Sequence, residues 1–154
     1  MNKTKAILLT GVLLASFGAH ANDTSLSKSF CNAAQDELSS VNEQLPISID
    51  YMTQLIGASA LHTKGNDLCN VTMTYLIESD KFIGTFSDAT EGAMNFNEST
   101  DFLNSSEGNE ILTNVFKQQG EQEYKDYNLE GVEIRLLYKS DDSKLNDLSV
   151  TLFE

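Results

Sequence analysis

The sequence predicts an α+β domain, with an antiparallel sheet of four to five strands on which an N-terminal helix and middle helices pack. Three observations carry this expectation. An apolar stripe of helical period runs from Thr24 to Leu45. Strictly alternating runs occupy Leu68–Ile77, Val132–Tyr138 and Leu148–Phe153. The order helix, hairpin, helices, hairpin holds no internal repeat and no low-complexity linker.

Each element has its own local reason. Leu26, Phe30, Ala34, Leu38, Val41 and Leu45 recur at steps of three and four, which places them on one helix face. Asp23 or Thr24 is placed to cap that helix, and Pro46 to end it, since the residue before proline is pushed out of the helical region. Ile47, Ile49 and Tyr51 alternate as a strand does. Gln54–Thr63 and Leu68–Ile77 then read as a hairpin around the Lys64-Gly65-Asn66-Asp67 turn. The stretch Phe86–Asn104 is partly helical by its spacing. Asn109–Gln119 is a firmer helix with Ile111, Leu112, Val115 and Phe116 on one side and Gly120 placed as its C-cap. A second hairpin joins Val132–Tyr138 to Leu148–Phe153 through Asp141-Asp142-Ser143-Lys144.

The first 21 residues have the layout of a cleaved secretory signal: two lysines, an apolar run of about twelve residues, and a small-x-small end at Ala19-His20-Ala21. That run is shorter than the roughly 20 residues a membrane span requires. The expectation is therefore one exported globular domain over residues 22–154, in the periplasm or secreted, with no membrane span. Without the leader the chain holds 8 basic and 23 acidic residues, a net charge of −15. Phosphate backbones are bound through Lys and Arg, so this balance argues against a nucleic-acid partner. It is compatible with a basic protein partner. In an oxidising compartment Cys31 and Cys69, the two cysteines of the chain, read as one disulfide closing a 38-residue loop.

Catalytic patterns are sparse. His62 is the one histidine after the leader, and it lies beside a turn with no neighbouring nucleophile. Glu98 with Asp101, and Glu121 with Glu123, read as solvated pairs, and no tryptophan is present for sugar stacking. Asp141, Asp142, Ser143 and Asp147 lack the central glycine and the terminal glutamate of a calcium loop. No cofactor and no metal are expected. Past the leader, four Asn-x-Ser/Thr sequons, at Asn22, Asn70, Asn97 and Asn104, read as chance in a chain rich in these residues. Functional material is instead apolar: Phe82, Phe86, Met94, Phe96 and Phe102 crowd an irregular segment, where they would form either core or a partner-binding groove.

The run Gln44-Leu45-Pro46-Ile47, Tyr51, Leu55-Ile56-Gly57-Ala58-Ser59-Ala60 and Val71-Thr72-Met73-Thr74-Tyr75 resembles the β-type pilotins of type II secretion. That resemblance implies a small periplasmic α/β protein which binds a C-terminal segment of a secretin. Such pilotins are lipoproteins, whereas Leu14-Ala15-Ser16 here is followed by Phe17 instead of a lipidated cysteine. The expected function is a non-enzymatic protein-interaction domain, pilotin-like in architecture, whose partner is a secretin segment. The alternative is an immunity or inhibitor protein that neutralises a cognate toxin or enzyme.

Overall fold

A computed structural model of the chain describes residues 25–153. The leader lies outside the described residues, as do Asp23 and Thr24, the residues expected to cap the first helix. Helix α1 (Leu26–Asn42) is followed by strands β1 (Ile47–Ser48), β2 (Thr53–Thr63) and β3 (Leu68–Ile77). Helices α2 (Ser79–Ala89), α3 (Phe96–Asn104) and α4 (Ser106–Glu123) come next, then a 3₁₀ turn at Lys125–Tyr127 and strands β4 (Val132–Ser140) and β5 (Leu148–Leu152). The five strands form one sheet in the order β1-β2-β3-β4-β5.

The fold is α+β, but its sheet is mixed. β3 and β4 pair in parallel from Cys69↔Val132 to Ile77↔Ser140, while the other neighbours are antiparallel. A turn can reverse a chain only into an antiparallel partner; the chain leaving β3 passes through three helices and returns as β4, which starts beside the start of β3.

Register divides the strands into two faces. Leu55, Ala58 and Ala60 of β2 stand beside Tyr75, Met73 and Val71 of β3, which stand beside Tyr138, Leu136 and Ile134 of β4. All of these except the half-buried Tyr138 are buried. Both long helices lie on this inner face. α1 is bonded to it by the Cys31–Cys69 disulfide, with a Cα–Cα distance of 5.4 Å and both residues at most 2% exposed. α4 rests on it through Gly120, where an added Cβ would stand 2.9 Å from Leu136 Cδ1 and Leu152 Cδ2. Gly120 is thus a contact point inside a helix that runs on to Glu123, and not the expected C-cap. Close approach of helix to sheet needs a residue without a side chain there.

Other boundaries shift for local reasons. α1 is capped by Ser25, whose Oγ accepts from Lys28 N at 3.3 Å, and it ends at Asn42, short of the proline. Leu26, expected on the apolar stripe, is 76% exposed in the first turn. The Ile47–Tyr51 alternation yields only a two-residue strand: Asp50 Oδ1 accepts from Met52 N at 2.8 Å and bends the chain, leaving Tyr51 exposed. Where β1 stops, Asn42 takes over its role. Its Nδ2 donates to Ala58 O at 2.7 Å and its Oδ1 accepts from Ala58 N at 3.1 Å, just past the bulge between Leu55 and Gly57. α2 begins seven residues before the helical stretch expected from Phe86. Its N-cap Glu78 makes no side-chain cap bond; Asp141, from the β4–β5 loop, accepts from Ser79 N at 2.9 Å and from Ser79 Oγ at 2.8 Å instead.

Candidate functional site

A continuous line of aromatic rings crosses the inner face from α2 to α1. Phe82 meets Phe116 of α4 at 6.3 Å, Phe116 stacks on Tyr138 at 4.3 Å, and Tyr138 stacks on Tyr75 at 5.2 Å. The hydroxyls of Tyr75 and Tyr124 are hydrogen-bonded at 3.1 Å. Tyr124 lies 6.5 Å from Tyr127, which lies 6.3 Å from Phe30 on α1. Tyr75 and Tyr138 are 63 positions apart in sequence and direct neighbours across the parallel pair. Burial raises the pKa of all four tyrosines, Tyr124 to about 12, so each stays a neutral phenol. Glu123, beside this cluster, has its carboxyl raised by desolvation. Glu37 on α1 is raised for the same reason, and its buried Oε2 meets no hydrogen-bond donor of the described residues.

The five residues expected to bind a partner belong to the layer of helices formed by α2, α3 and α4. Phe82 and Phe86 stand on α2, Met94 on the α2–α3 link, and Phe96 and Phe102 on α3. Phe86 stacks on Phe102 at 5.7 Å. None of the five is fully buried; four are half-buried and Phe96 is 38% exposed at the start of α3. The asparagine before it anchors that start: Asn95 Oδ1 accepts from Asn97 N and Glu98 N, while Glu98 Oε2 accepts from Asn95 N. Glu98 therefore serves a capping box and is not half of a catalytic pair. Ile111 and Val115, one turn apart on α4, add 44% and 42% exposed apolar side chains. Between α2, α3, α4 and the β4–β5 loop lies a small cleft lined by Phe82, Leu103, Leu112, Phe116, Tyr138 and Leu145, among others. Its volume of about 20 Å³ holds roughly one water. A small-molecule substrate does not fit there; an apolar side chain laid over its mouth could.

His62 has company that its sequence position does not disclose. Its Nε2 donates to Asp67 Oδ1 at 2.8 Å, and the same oxygen accepts from Ser25 Oγ at 2.6 Å and Ser27 Oγ at 2.8 Å. The residue types are those of a hydrolase triad but the geometry is not. In a triad the serine gives its proton to the imidazole; here both serines point to the carboxylate. The cluster ties the start of α1 to the β2–β3 turn, beside the disulfide. Hydrogen bonds from Ser25, His62 and Ser27 hold the Asp67 carboxyl down to about 2, from 3.8. A depressed acid contributes stability above its unfolded value and loses it as the folded value is approached. Asp67→Asn is accordingly expected to lower the urea midpoint at pH 7, and the gap from the parent should close as pH falls from 3.8 towards about 2. A gap independent of pH would show that the charge contributes nothing.

The acids of the β4–β5 loop are likewise engaged within the protein. Lys144 Nζ reaches Asp80 Oδ1 at 2.6 Å and Asp142 Oδ2 at 3.0 Å, and Lys139 Nζ donates to Asp147 Oδ2 at 2.9 Å. Glu121 Oε1 accepts from Phe153 N at 3.1 Å and fastens the end of β5 to α4. Among the described residues no group of three His, Cys, Asp or Glu side chains is placed to hold a metal ion, and no helix is long and apolar enough to cross a membrane. Comparison with family models, with curated proteins and with solved structures yields no match to this chain.

Proposed function

We propose that the protein is an exported, non-enzymatic interaction domain of pilotin-like architecture, acting in the periplasm, which takes a segment of a protein partner against the helical layer of α2, α3 and α4. One observation carries this reading. Phe82, Phe86, Met94, Phe96 and Phe102 all keep part of their surface in water, although a complete core exists beneath them between α1, α4 and the sheet. Exposed apolar residues scattered singly need no explanation, but five on α2, α3 and the link between them, with Ile111 and Val115 exposed on the neighbouring α4, supply the material of a receptor for apolar anchors. The signal-like leader and the disulfide support the compartment.

The net charge of −13 also supports a second occupant of the same layer, a basic toxin or enzyme held by an immunity or inhibitor protein. Salt separates the two readings. A partner recognised by charge is lost as ionic strength rises, whereas one recognised by apolar anchors is retained.

The test is capture from periplasmic extract by the parent, Phe96→Ala and Phe102→Ala. Phe96 is the most exposed of the five, so Phe96→Ala should leave the melting temperature within a few degrees while capture of the specific partner falls at least about tenfold. Phe102→Ala also breaks the stack with Phe86 and is expected to lose about 2 kcal/mol of stability. Unchanged capture by Phe96→Ala would refute the assignment of the helical layer.

A further inference from the structure

The outer face of the sheet carries almost no charge. Residues alternate along each strand, so the outer face presents Ser59 and Leu61 of β2, Thr72 and Thr74 of β3, Leu137 of β4 and Thr151 of β5, with their neighbours. The chain contains 33 charged side chains (10 basic, 23 acidic), yet β1, β2, β3 and β5 hold no Asp, Glu, Lys or Arg at all. On β4 the outward charges are Glu133, Arg135 and Lys139, and each is already neutralised: Arg135 donates to Glu133 at 2.8 Å and Lys139 to Asp147 at 2.9 Å. Among the described residues no helix lies over this face. The disulfide, Gly120 and the cleft side chains Ile77, Tyr138 and Leu148 place the contacts of α1, α4 and α2–α3 on the opposite side. Leu61 is left 69% exposed and Ile56 36%.

We propose that the outer face is the contact surface for a second copy of this chain, the two sheets packing face to face about a two-fold axis. The argument is one of charge. Two molecules of net charge −13 repel wherever their acids face each other. The outer sheet is the broad surface on which like can meet like without that repulsion. A face meant for an oppositely charged partner would carry complementary charge, and this one carries none to spare. Its chemistry suits sheet stacking: small and β-branched side chains, stiff at χ1, alternate with leucines that can interdigitate at the usual spacing of about 10 Å. Five strands about 4.8 Å apart and about seven residues of about 3.3 Å rise give a footprint near 550 Å² per copy. A pair then buries about 1,100 Å², just above the roughly 1,000 Å² expected of a specific interface. An isologous contact of this kind closes on itself and leaves the helical layers of both copies facing outward, so it does not depend on what those layers bind.

Sedimentation equilibrium of the purified protein across the micromolar range tests this. The parent is expected to sediment as a dimer, and the dimer should tighten as salt is raised, because screening relieves the repulsion between two acidic bodies. Thr72→Glu, at the centre of the face, would bring two carboxylates together across the axis and should weaken association at least about 100-fold. Leu61→Glu, at an exposed position where folding is not at stake, should weaken it as well; Phe96→Glu, on the helical layer, should not. Far-ultraviolet circular dichroism verifies that each variant is folded. A parent that is monomeric throughout overturns the proposal. So does a dimer that survives both outer-face substitutions, or one that Phe96→Glu alone dissolves. A monomeric parent whose capture of a foreign protein is abolished by Leu61→Glu would assign the face to a different partner and overturn it equally.

Discussion

Replacing Cys31 and Cys69 together by alanine is expected to reduce the unfolding free energy by about 4 kcal/mol, the value of chain entropy for the 38-residue loop that the disulfide closes. The loop contains the rest of α1, β1 and all of β2, so the crosslink restrains most of the N-terminal half in the unfolded chain. Both sulfurs are buried against the inner face, and their loss also removes packing from the layer between α1 and β3. In a domain of this size about 4 kcal/mol amounts to roughly 15 °C of melting temperature. The effect should be visible as a shifted urea midpoint. Mild reductant should leave the folded parent intact, because neither cysteine is accessible, while reductant with denaturant should reproduce the variant. A shift below about 1 kcal/mol would mean that the unfolded chain is compact enough to need no crosslink.

Gly108→Ala is expected to cost about 3 kcal/mol, even though alanine is the better helix former. Ser105 ends α3 and caps α4 at once, donating to Phe102 O at 2.6 Å and accepting from Gly108 N at 3.0 Å. The two helices are therefore folded back so tightly that an added Cβ would lie 2.0 Å from Phe102 O and 2.8 Å from Phe102 C. Those are backbone atoms and cannot swing aside, so the overpacking penalty exceeds the gain of about 1 kcal/mol in helix propensity. Gly84→Ala in α2 is the control. Nothing lies within 4 Å of its Cβ position, and it should gain most of that propensity. Thermal melts of the two variants should therefore move in opposite directions. Gly120→Ala falls between them, since the atoms it would meet are the mobile ends of Leu136 and Leu152.

Strand positions were legible because one face of each strand is buried and the other is not. β3 alternates along its whole length, and its bounds match the apolar alternation read from Leu68 to Ile77. What alternation cannot convey is the direction of the neighbour. Val132–Tyr138 has the same pattern whether it pairs parallel or antiparallel, so the β3–β4 pair was hidden. The start of α2 was missed although Phe82 and Phe86, four apart, were the available signal; Gly84 and Thr85 between them weaken the helical reading. Gly120 read as a C-cap because it follows the last periodic residue, but the buried Tyr124 one turn later carries the apolar side further. The Ser25–Ser27–His62–Asp67 cluster joins residues up to 42 positions apart, and no local pattern encodes such a meeting. Phe82, Phe86, Met94, Phe96 and Phe102 were singled out together from their crowding in sequence, and they stand on α2, α3 and the link between them. Their aromatic continuation through Tyr138 and Tyr75 depends on the parallel pair and was hidden with it.

The parallel pair at the centre of the sheet also governs how quickly the molecule can assemble. Thr63 and Leu68, where β2 meets β3, are five positions apart, whereas Cys69 and Val132 are 63 apart. By the logarithmic law of loop closure, bringing the second pair together costs about 2 kcal/mol more entropy than the first. That difference falls on the barrier if the pair forms in the transition state, slowing the search by a factor of about 40. The N-terminal meander and the C-terminal hairpin each arise from local contacts, yet neither covers its apolar side alone. Time to the native state is therefore set by the interval the chain needs to wind three helices between two strands that touch.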